Sequence, residues 1–498
     1  MALLSRARAL PLMAVGICAF PVFDVDEGEP LAVNPNRGTA FSSVSKLDDT
    51  RVIDCFTDYF NNGGAGTCKI LSVEDMAVTE EATVVFNANH TQYINVAAFS
   101  STAAVVCYLD HVGTEHLTCR FLDVSSNSIN PSEPYTVDDV AVEVSFLSIA
   151  SLTQDVGVVC WSKPLDSAKD RAGVCNKLTM GEGGVITVGN LVYFDQDFST
   201  SDVTVEAFSE TSAVVCWSAQ GDGDCRTLTL SDSGSQDFDM GTIGRFFSGE
   251  SEAFKGLVLV RFNASRGLVC WADKVAKNQV DCKPLLIDGS DLGFGDAGAV
   301  TAFPSLHLTA DAITEDAALV CYSADPEGSV LDTENFDGKG TCNIVGLADG
   351  DSVVGAGPPN EVNSGTTQFL AVATASFDDR SAVLCYSDGG AGSGSCKALG
   401  MAETSTSSTS STETTESTTE STTTTPHTTS ETSTVSGTST TSLHTTSATS
   451  TTSSAHTTTV TTVTHTLTQP EDPISGSLAP DLWGVGVALL AATGVTLC

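Results

Sequence analysis

Seven cysteines set the register of most of this chain: Cys55, Cys107, Cys160, Cys216, Cys270, Cys321 and Cys385, with successive gaps of 52, 53, 56, 54, 51 and 64 residues. The residue after each is aromatic: Phe56, Tyr108, Trp161, Trp217, Trp271, Tyr322 and Tyr386. Eight positions before each stands a large apolar residue: Leu47, Phe99, Leu152, Phe208, Phe262, Ile313 and Phe377. The next position is short and polar every time: Asp48, Ser100, Thr153, Ser209, Asn263, Thr314 and Asp378. A second cysteine follows after 9 to 21 residues: Cys68, Cys119, Cys175, Cys225, Cys282, Cys342 and Cys396. Three residues past it comes Leu or Val, from Leu71 to Leu399. A chain with such a period is an array of one supersecondary unit, each copy needing its neighbours to bury a core.

The unit reads as strands. Val84–Asn87 forms one and Tyr93–Phe99 the next. A few turn residues lead to the apolar run Ala-Val-Val-Cys-Tyr, and the second cysteine opens a fourth strand after a Gly- and Asp-rich loop. No copy carries a helical period. A nearly continuous apolar run in a strand implies burial on both faces. A lone four-stranded sheet cannot provide that, whereas radially arranged sheets pack each one between two others. The expected fold is all-β: a seven-bladed β-propeller over residues 20–401, with about four antiparallel strands and one disulfide per blade. The first copy is short of material. Leu31–Asn34 resembles the 84–87 strand, and residues 20–26 read either as a leader or as a strand that helps to close the ring.

Fourteen of the sixteen cysteines belong to the seven pairs, Cys18 and Cys498 being the others. Paired cysteines at this density imply an oxidising compartment. Zinc sites need closer ligand spacing and four ligands, so the expected bridges are Cys55–Cys68, Cys107–Cys119, Cys160–Cys175, Cys216–Cys225, Cys270–Cys282, Cys321–Cys342 and Cys385–Cys396. Residues 20–401 hold 20 Lys+Arg against 54 Asp+Glu, a formal charge of −34. Such a surface repels nucleic-acid phosphates and anionic lipid headgroups. It suits a solvated extracellular protein, or one with a cationic partner.

The ends of the chain read differently. Residues 1–19, with Arg6 and Arg8 before an apolar core, form a secretory signal. Between Thr404 and Thr468, 48 of 65 residues are Ser or Thr, so residues 402–470 cannot build a core and read as a disordered, O-glycosylated stalk. Residues 471–498 place Ser475-Gly476-Ser477 before an apolar tail from Leu482 to Cys498, with no Lys or Arg after Lys397. That is the pattern of a glycosylphosphatidylinositol attachment signal, with Ser475 as the lipidated residue. A short transmembrane tail is the alternative.

The stretch Phe86-Asn-Ala-Asn-His-Thr-Gln-Tyr-Ile-Asn-Val-Ala-Ala-Phe-Ser-Ser-Thr-Ala-Ala-Val-Val-Cys-Tyr-Leu-Asp110 resembles a repeat of secreted β-propeller proteins from microalgae and bacteria. Those repeats run FN, T, YI.VA and then VV.Y.D. The resemblance covers residues 31–401 and implies a propeller fold without implying an activity. The Trp-Asp dipeptides of WD40 repeats and the double glycines of kelch repeats are missing.

No GxSxG elbow, HExxH helix or phosphate loop occurs. His90, His111, His116 and His307 fall outside the shared strand positions and are expected in surface loops. Asp195 and Asp197 are the carboxylates that would reach a central channel and serve glycoside hydrolysis. Asp222 with Asp224, or Asp288 with Asp291, would ligate calcium through Gly-rich loops, although solvated hairpin tips suit them as well. No cofactor other than such calcium is indicated. Asn89-His-Thr91 and Asn263-Ala-Ser265 are N-glycosylation acceptors in turns. Nothing in the shared pattern is broken as a catalytic constellation would break it. The expected function is therefore non-enzymatic recognition or adhesion at the cell surface, toward an extracellular glycan or protein ligand. A glycan hydrolase and an acidic, calcium-binding coat component are the alternatives. A phosphatidylinositol-specific phospholipase is expected to release the intact protein from source cells; a cytoplasmically accessible C-terminus would exclude the lipid anchor.

Overall fold

The computed structural model describes residues 23–403, except 36–37, 60–62, 112–115, 125–127, 139–144, 166–170, 197–198, 232–236, 250–253, 274–277, 302, 326–337, 348–353, 375–380 and 390–392. The expected secretory signal, most of the Ser/Thr-rich stretch, Ser475, Cys18, Cys498 and Asp197 lie outside the described residues. Among the described residues the fold is all-β, with one short 3-10 turn at Glu182–Gly184 and no α-helix. The strands form one nine-stranded, one eight-stranded and three five-stranded sheets. Each larger sheet is two smaller ones joined by a long strand, Ala77–Ser100 in one and Asn360–Thr374 in the other.

Each first cysteine sits on the second strand of its unit and faces its partner on the third, in register. Val156–Pro164 pairs with Arg171–Met180 so that Cys160 is opposite Cys175. Disulfides join Cys55–Cys68, Cys107–Cys119, Cys160–Cys175, Cys216–Cys225, Cys270–Cys282, Cys321–Cys342 and Cys385–Cys396. Each closes a hairpin loop and contributes about 3 kcal/mol in the loop-entropy account. The tightest hairpin turns through Gln220 and Gly221, both at positive φ, as a two-residue turn between right-twisted strands requires.

The cysteine strands are buried on both faces. Odd residues Val105, Cys107 and Leu109 pack with Leu147, Val159 and Trp161 of the next unit. Even residues Ala104, Val106 and Tyr108 pack with Ile53, Ile70 and Phe86 of the preceding one. The same alternation recurs around the molecule, and one cluster joins Val52 and Leu71 of the first unit to Val383 and Ala398 of the last. Aromatic pairs cross these seams: Phe86 with Tyr108, Phe194 with Trp217 and Phe246 with Trp271, at centroid distances of 5.0, 4.9 and 5.3 Å. Each outer phenylalanine lies over a glycine two residues before the second cysteine. A Cβ on Gly66, Gly173 or Gly223 would meet the ring at 2.4, 2.1 or 2.3 Å, so only glycine admits it.

Two expectations change. The strand 84–87 belongs to the preceding sheet, where Val84 faces Cys68 and Asn87 faces Gly66. The disulfide therefore joins the second and third strands of a sheet, counted from the centre, rather than the third and fourth. Each outermost strand is supplied by the chain that leads into the next unit. That offset decides the role of the N-terminal segment: Phe23–Glu27 and Leu31–Asn34 pair with Ser393–Glu403, the last strand described. The FN…T motif marks the crossing from outer to inner strand. Asn87 Nδ2 donates to Thr91 Oγ1 at 3.0 Å, and Asn363 Nδ2 to Thr367 Oγ1 at 2.8 Å.

The inner strands touch in the order Thr39–Lys46, the second half of Ala77–Ser100, Ser145–Ser151, Thr200–Ala207, Phe254–Asn263, Ser305–Ala312, the second half of Asn360–Thr374, and Thr39–Lys46 again. Their central edges would expose ladder N–H groups. Side chains opposite the cysteines take several of them up. Val96 N donates to Ser43 Oγ at 3.0 Å, Ile149 N to Asn95 Oδ1 at 3.2 Å, Val205 N to Ser148 Oγ at 3.0 Å and Val372 N to Thr309 Oγ1 at 3.2 Å. Replacing Ser148 with Ala orphans the Val205 N–H. The expected loss is about 1–3 kcal/mol, read as a lower melting temperature or urea midpoint; an unchanged midpoint would show that the cap carries no stability.

Candidate functional site

The inner strands surround a cavity of about 1270 Å³. Because the units share a register, matching positions form layers around it. Among the described residues, six inner strands carry a bulge in which one residue has left-handed φ: Phe41, Tyr93, Phe146, Asp202, Gly256 and His307, with φ between 48° and 63°. Five of the six are not glycine, so the conformation is costly and is held by its surroundings. A bulge re-aims a side chain out of strand alternation. These residues share one register position, at the end where the cysteine hairpins turn; Phe41 and Tyr93 pack against the seams there. Phe146, Asp202, Gly256 and His307 line the cavity, Phe146 is 39% exposed, and the Phe41 and Tyr93 rings lie 5.0 Å apart.

Beside this rim is a second group. Tyr59, 40% exposed, lies 6.1 Å from the His90 ring, and His90 lies 4.9 Å from His111. His111 Nε2 and Gln92 Oε1 are 2.7 Å apart, and Gln92 precedes Tyr93 of the rim. Burial first, then the neighbouring His111, hold His90 below the ordinary histidine value. His90, His116 and His307 stand in strands rather than in the expected loops, and two histidines 21 residues apart meet only through strand pairing.

The other mouth is charged. Glu206 on one inner strand and Asp311 two units on occupy the same layer, ten residues before their cysteines, with Arg261 on the strand between. The other described positions of this layer hold Ser45, Ala97, Ala150, Val260 and Ala373. Glu206 presents part of its surface to the cavity but is walled by the ring of strands. That desolvation, then the charge of Asp311, hold its carboxyl up at about 8, against the pull of Arg261. This break in the pattern is legible once the seven inner strands are aligned on their cysteines.

The carboxylates singled out from the sequence do other work. Asp195 is buried on the outer strand Val192–Asp195. It accepts from Trp217 Nε1 at 3.0 Å and Thr200 Oγ1 at 3.2 Å, which makes it a structural acceptor at the FN…T crossing. Asp222 and Asp224 clamp Arg245, at 2.6 and 2.8 Å. Asp288 and Asp291 face each other across an exposed two-residue turn, where Asp291 accepts from Thr242 Oγ1 at 2.9 Å. Asn89 is exposed within the long strand. Asn263 Oδ1 accepts from Ser265 N and Oγ, at 3.0 and 3.1 Å, in the turn after Phe254–Asn263.

A second break is Asp54. The residue before the cysteine is Val or Leu in six units and Asp in the first. Asp54 is fully buried at the seam between the first and last units. Its Oδ1 has no hydrogen-bond partner, and its Oδ2 lies 3.7 Å from Cys396 Sγ. Asp54, Cys385 and Cys396 form the one group of three potential metal ligands among the described residues. The two sulfurs are joined to each other, so no thiolate is offered. Burial raises the Asp54 carboxyl to about 7, against the attraction of Lys69 and a hydrogen bond from Ser42.

No family model matches the chain, and no curated protein does. Among solved structures it is similar to a prolyl endopeptidase, with 12% identity and a TM-score of 0.42, over 71% of this chain and 45% of that one. It is also similar to the periplasmic gluconolactonase of Pseudomonas aeruginosa, with 11% identity and a TM-score of 0.44, over 65% and 86% of the two chains. A third is the NanB sialidase of Streptococcus pneumoniae, with 8% identity and a TM-score of 0.39, over 77% and 71%.

Asp54 generates a pH-dependent expectation. A carboxyl raised by folding adds stability below its unfolded value near 3.8, and that contribution is lost as pH rises to about 7. Asp54→Val restores the apolar residue of the other units and removes the loss. The variant is expected to be more stable, with a gap that grows from pH 4 to 7.5 and reaches on the order of 3 kcal/mol. Melting curves across that range check it; a gap that does not grow with pH would show that Asp54 is ionised in the fold.

Proposed function

We propose that the protein is a secreted, non-enzymatic recognition module: a seven-bladed β-propeller closed by its N-terminal strands. In this reading it is carried on a glycosylated Ser/Thr-rich stalk, N-glycosylated at Asn89 and Asn263, and held to the outer membrane surface by a lipid at Ser475. It belongs with the secreted propeller repeats that its FN…YI.VA…VV.Y.D motifs resemble. Its seven disulfides are those of an extracellular or secreted protein. The closed order of inner-strand contacts and the packing of the first unit on the last support the ring.

The observation that carries the recognition reading is the bulged rim. Strained residues of differing chemistry stand at one register position around one cavity mouth. A fold keeps such strain where it positions side chains for use. The hairpins that turn at this end differ most in length, with cysteine separations from 9 to 21, and variable loops on a rigid scaffold are where binding residues collect.

One observation favours a second reading, a glycan hydrolase. Glu206, held protonated up to about 8 by its burial, shares a layer with the Asp311 carboxyl, and two carboxyl groups, one of them raised, are what glycoside hydrolysis uses. A glycan and cell-wall polysaccharide array probed with the full chain, with and without calcium, separates the readings. Binding without product formation is expected. Turnover that Glu206→Gln or Asp311→Asn abolishes would overturn recognition in favour of hydrolysis, and calcium-dependent self-association without a ligand would favour a coat.

A further inference from the structure

The rim itself narrows the class of ligand, given the recognition reading above, on which this step rests. Its residues divide into two arcs. Phe41, Tyr93 and Phe146, from three successive inner strands, form an aromatic arc. Phe41 and Tyr93 support one another at 5.0 Å, and Phe146 is the exposed member, at 39%. Asp202 and His307 form a polar arc across Gly256, whose N–H Asp202 accepts at 3.3 Å. Outside the aromatic arc, Gln92, next to Tyr93 in the chain, meets His111 at 2.7 Å, and Tyr59 lies 6.1 Å from the His90 ring.

Three ligand classes fit this arrangement poorly. An extended peptide would bind by adding a strand to an open edge. The central edges, however, already give N–H groups of Val96, Ile149, Val205 and Val372 to side chains of neighbouring strands. An anion would need cations. Lys46, the one Lys or Arg among the described residues that lines the cavity, stands at the other end of its inner strand from the bulge, and the chain carries a net charge of −40. A cation would need clustered carboxylates, and the rim offers Asp202 alone. What remains is a neutral molecule with an apolar face and a periphery of hydroxyls. A pyranose ring has both: its C–H face covers an aromatic ring, and its hydroxyls exchange hydrogen bonds with amide, imidazole and carboxylate groups.

We propose that the bulged mouth is a binding site for neutral saccharide, with Phe146 as the exposed stacking platform. Asp202 and His307, which line the same mouth, read the hydroxyls. The left-handed bulge is the device that turns these side chains from strand alternation into the mouth.

The test is titration of the full chain with neutral gluco-, manno- and galacto-oligosaccharides of about four to six units, with uronic-acid oligomers and a peptide library as controls. At least one neutral series is expected to bind. Phe146→Ala should weaken it about tenfold or more, with an unchanged melting temperature because the ring is exposed, and Phe146→Trp should restore it. Val85→Ala, which removes an apolar side chain of similar exposure from an outer strand, should bind as the unaltered protein does. Neutral saccharide binding that survives Phe146→Ala would place the site elsewhere and overturn the rim. Binding of uronic-acid oligomers or peptides alone would overturn the ligand class and leave recognition standing. Conversion of the bound saccharide to products would instead overturn the non-enzymatic reading.

Discussion

The structure depends on one constraint, the burial of both faces of the strand that carries each first cysteine. Val105 and Cys107 point into one seam while Ala104, Val106 and Tyr108 point into the other. Neither face can reach water without exposing several large apolar side chains, each worth about 1.5–3 kcal/mol when fully buried. A unit cut from its neighbours would lose both seams at once. The disulfide fixes the two middle strands of a unit, but it does not choose their neighbours. That choice is made by the seams, where outer phenylalanines fit over glycines and pack on the aromatic residue that follows the next cysteine.

Closure follows from the same packing with one addition. Inner strands are edge strands, and edges invite further pairing. Ser43, Asn95, Ser148 and Thr309 accept N–H groups from the adjoining inner strand, which ties successive units together and blunts the edge. The seam between the first and last units is built from the same kinds of side chain, except that Asp54 stands where the other units have Val or Leu. A buried carboxyl there makes closure sensitive to pH, whereas the other seams hold apolar residues at that position.

The two mouths of the cavity differ in chemistry because the inner strands depart from their common pattern at two levels. At the bulge, aromatic residues occupy one arc and polar residues the other. Near the opposite end, Glu206 and Asp311 replace small or apolar residues, with Arg261 on the strand between them. The scaffold is repetitive and the exceptions are local, so the exceptions are where binding or chemistry is to be sought.

The sequence by itself determined the repeat, its strands and the local pairing of its cysteines, because these follow from spacing and from apolar runs within one hairpin. The candidate site was much less legible. Asp195 looked available for chemistry, yet strand pairing buries it under Trp217. Glu206 and Asp311 are 105 residues apart in sequence and share a layer only because each unit places its inner strand in the same register. His90 and His111 meet for the same reason. The sequence also left open whether the N-terminal segment was a leader or a strand. Tertiary structure decided that, since only the last unit, more than 350 residues away, offers the unpaired edge that Phe23–Glu27 and Leu31–Asn34 complete.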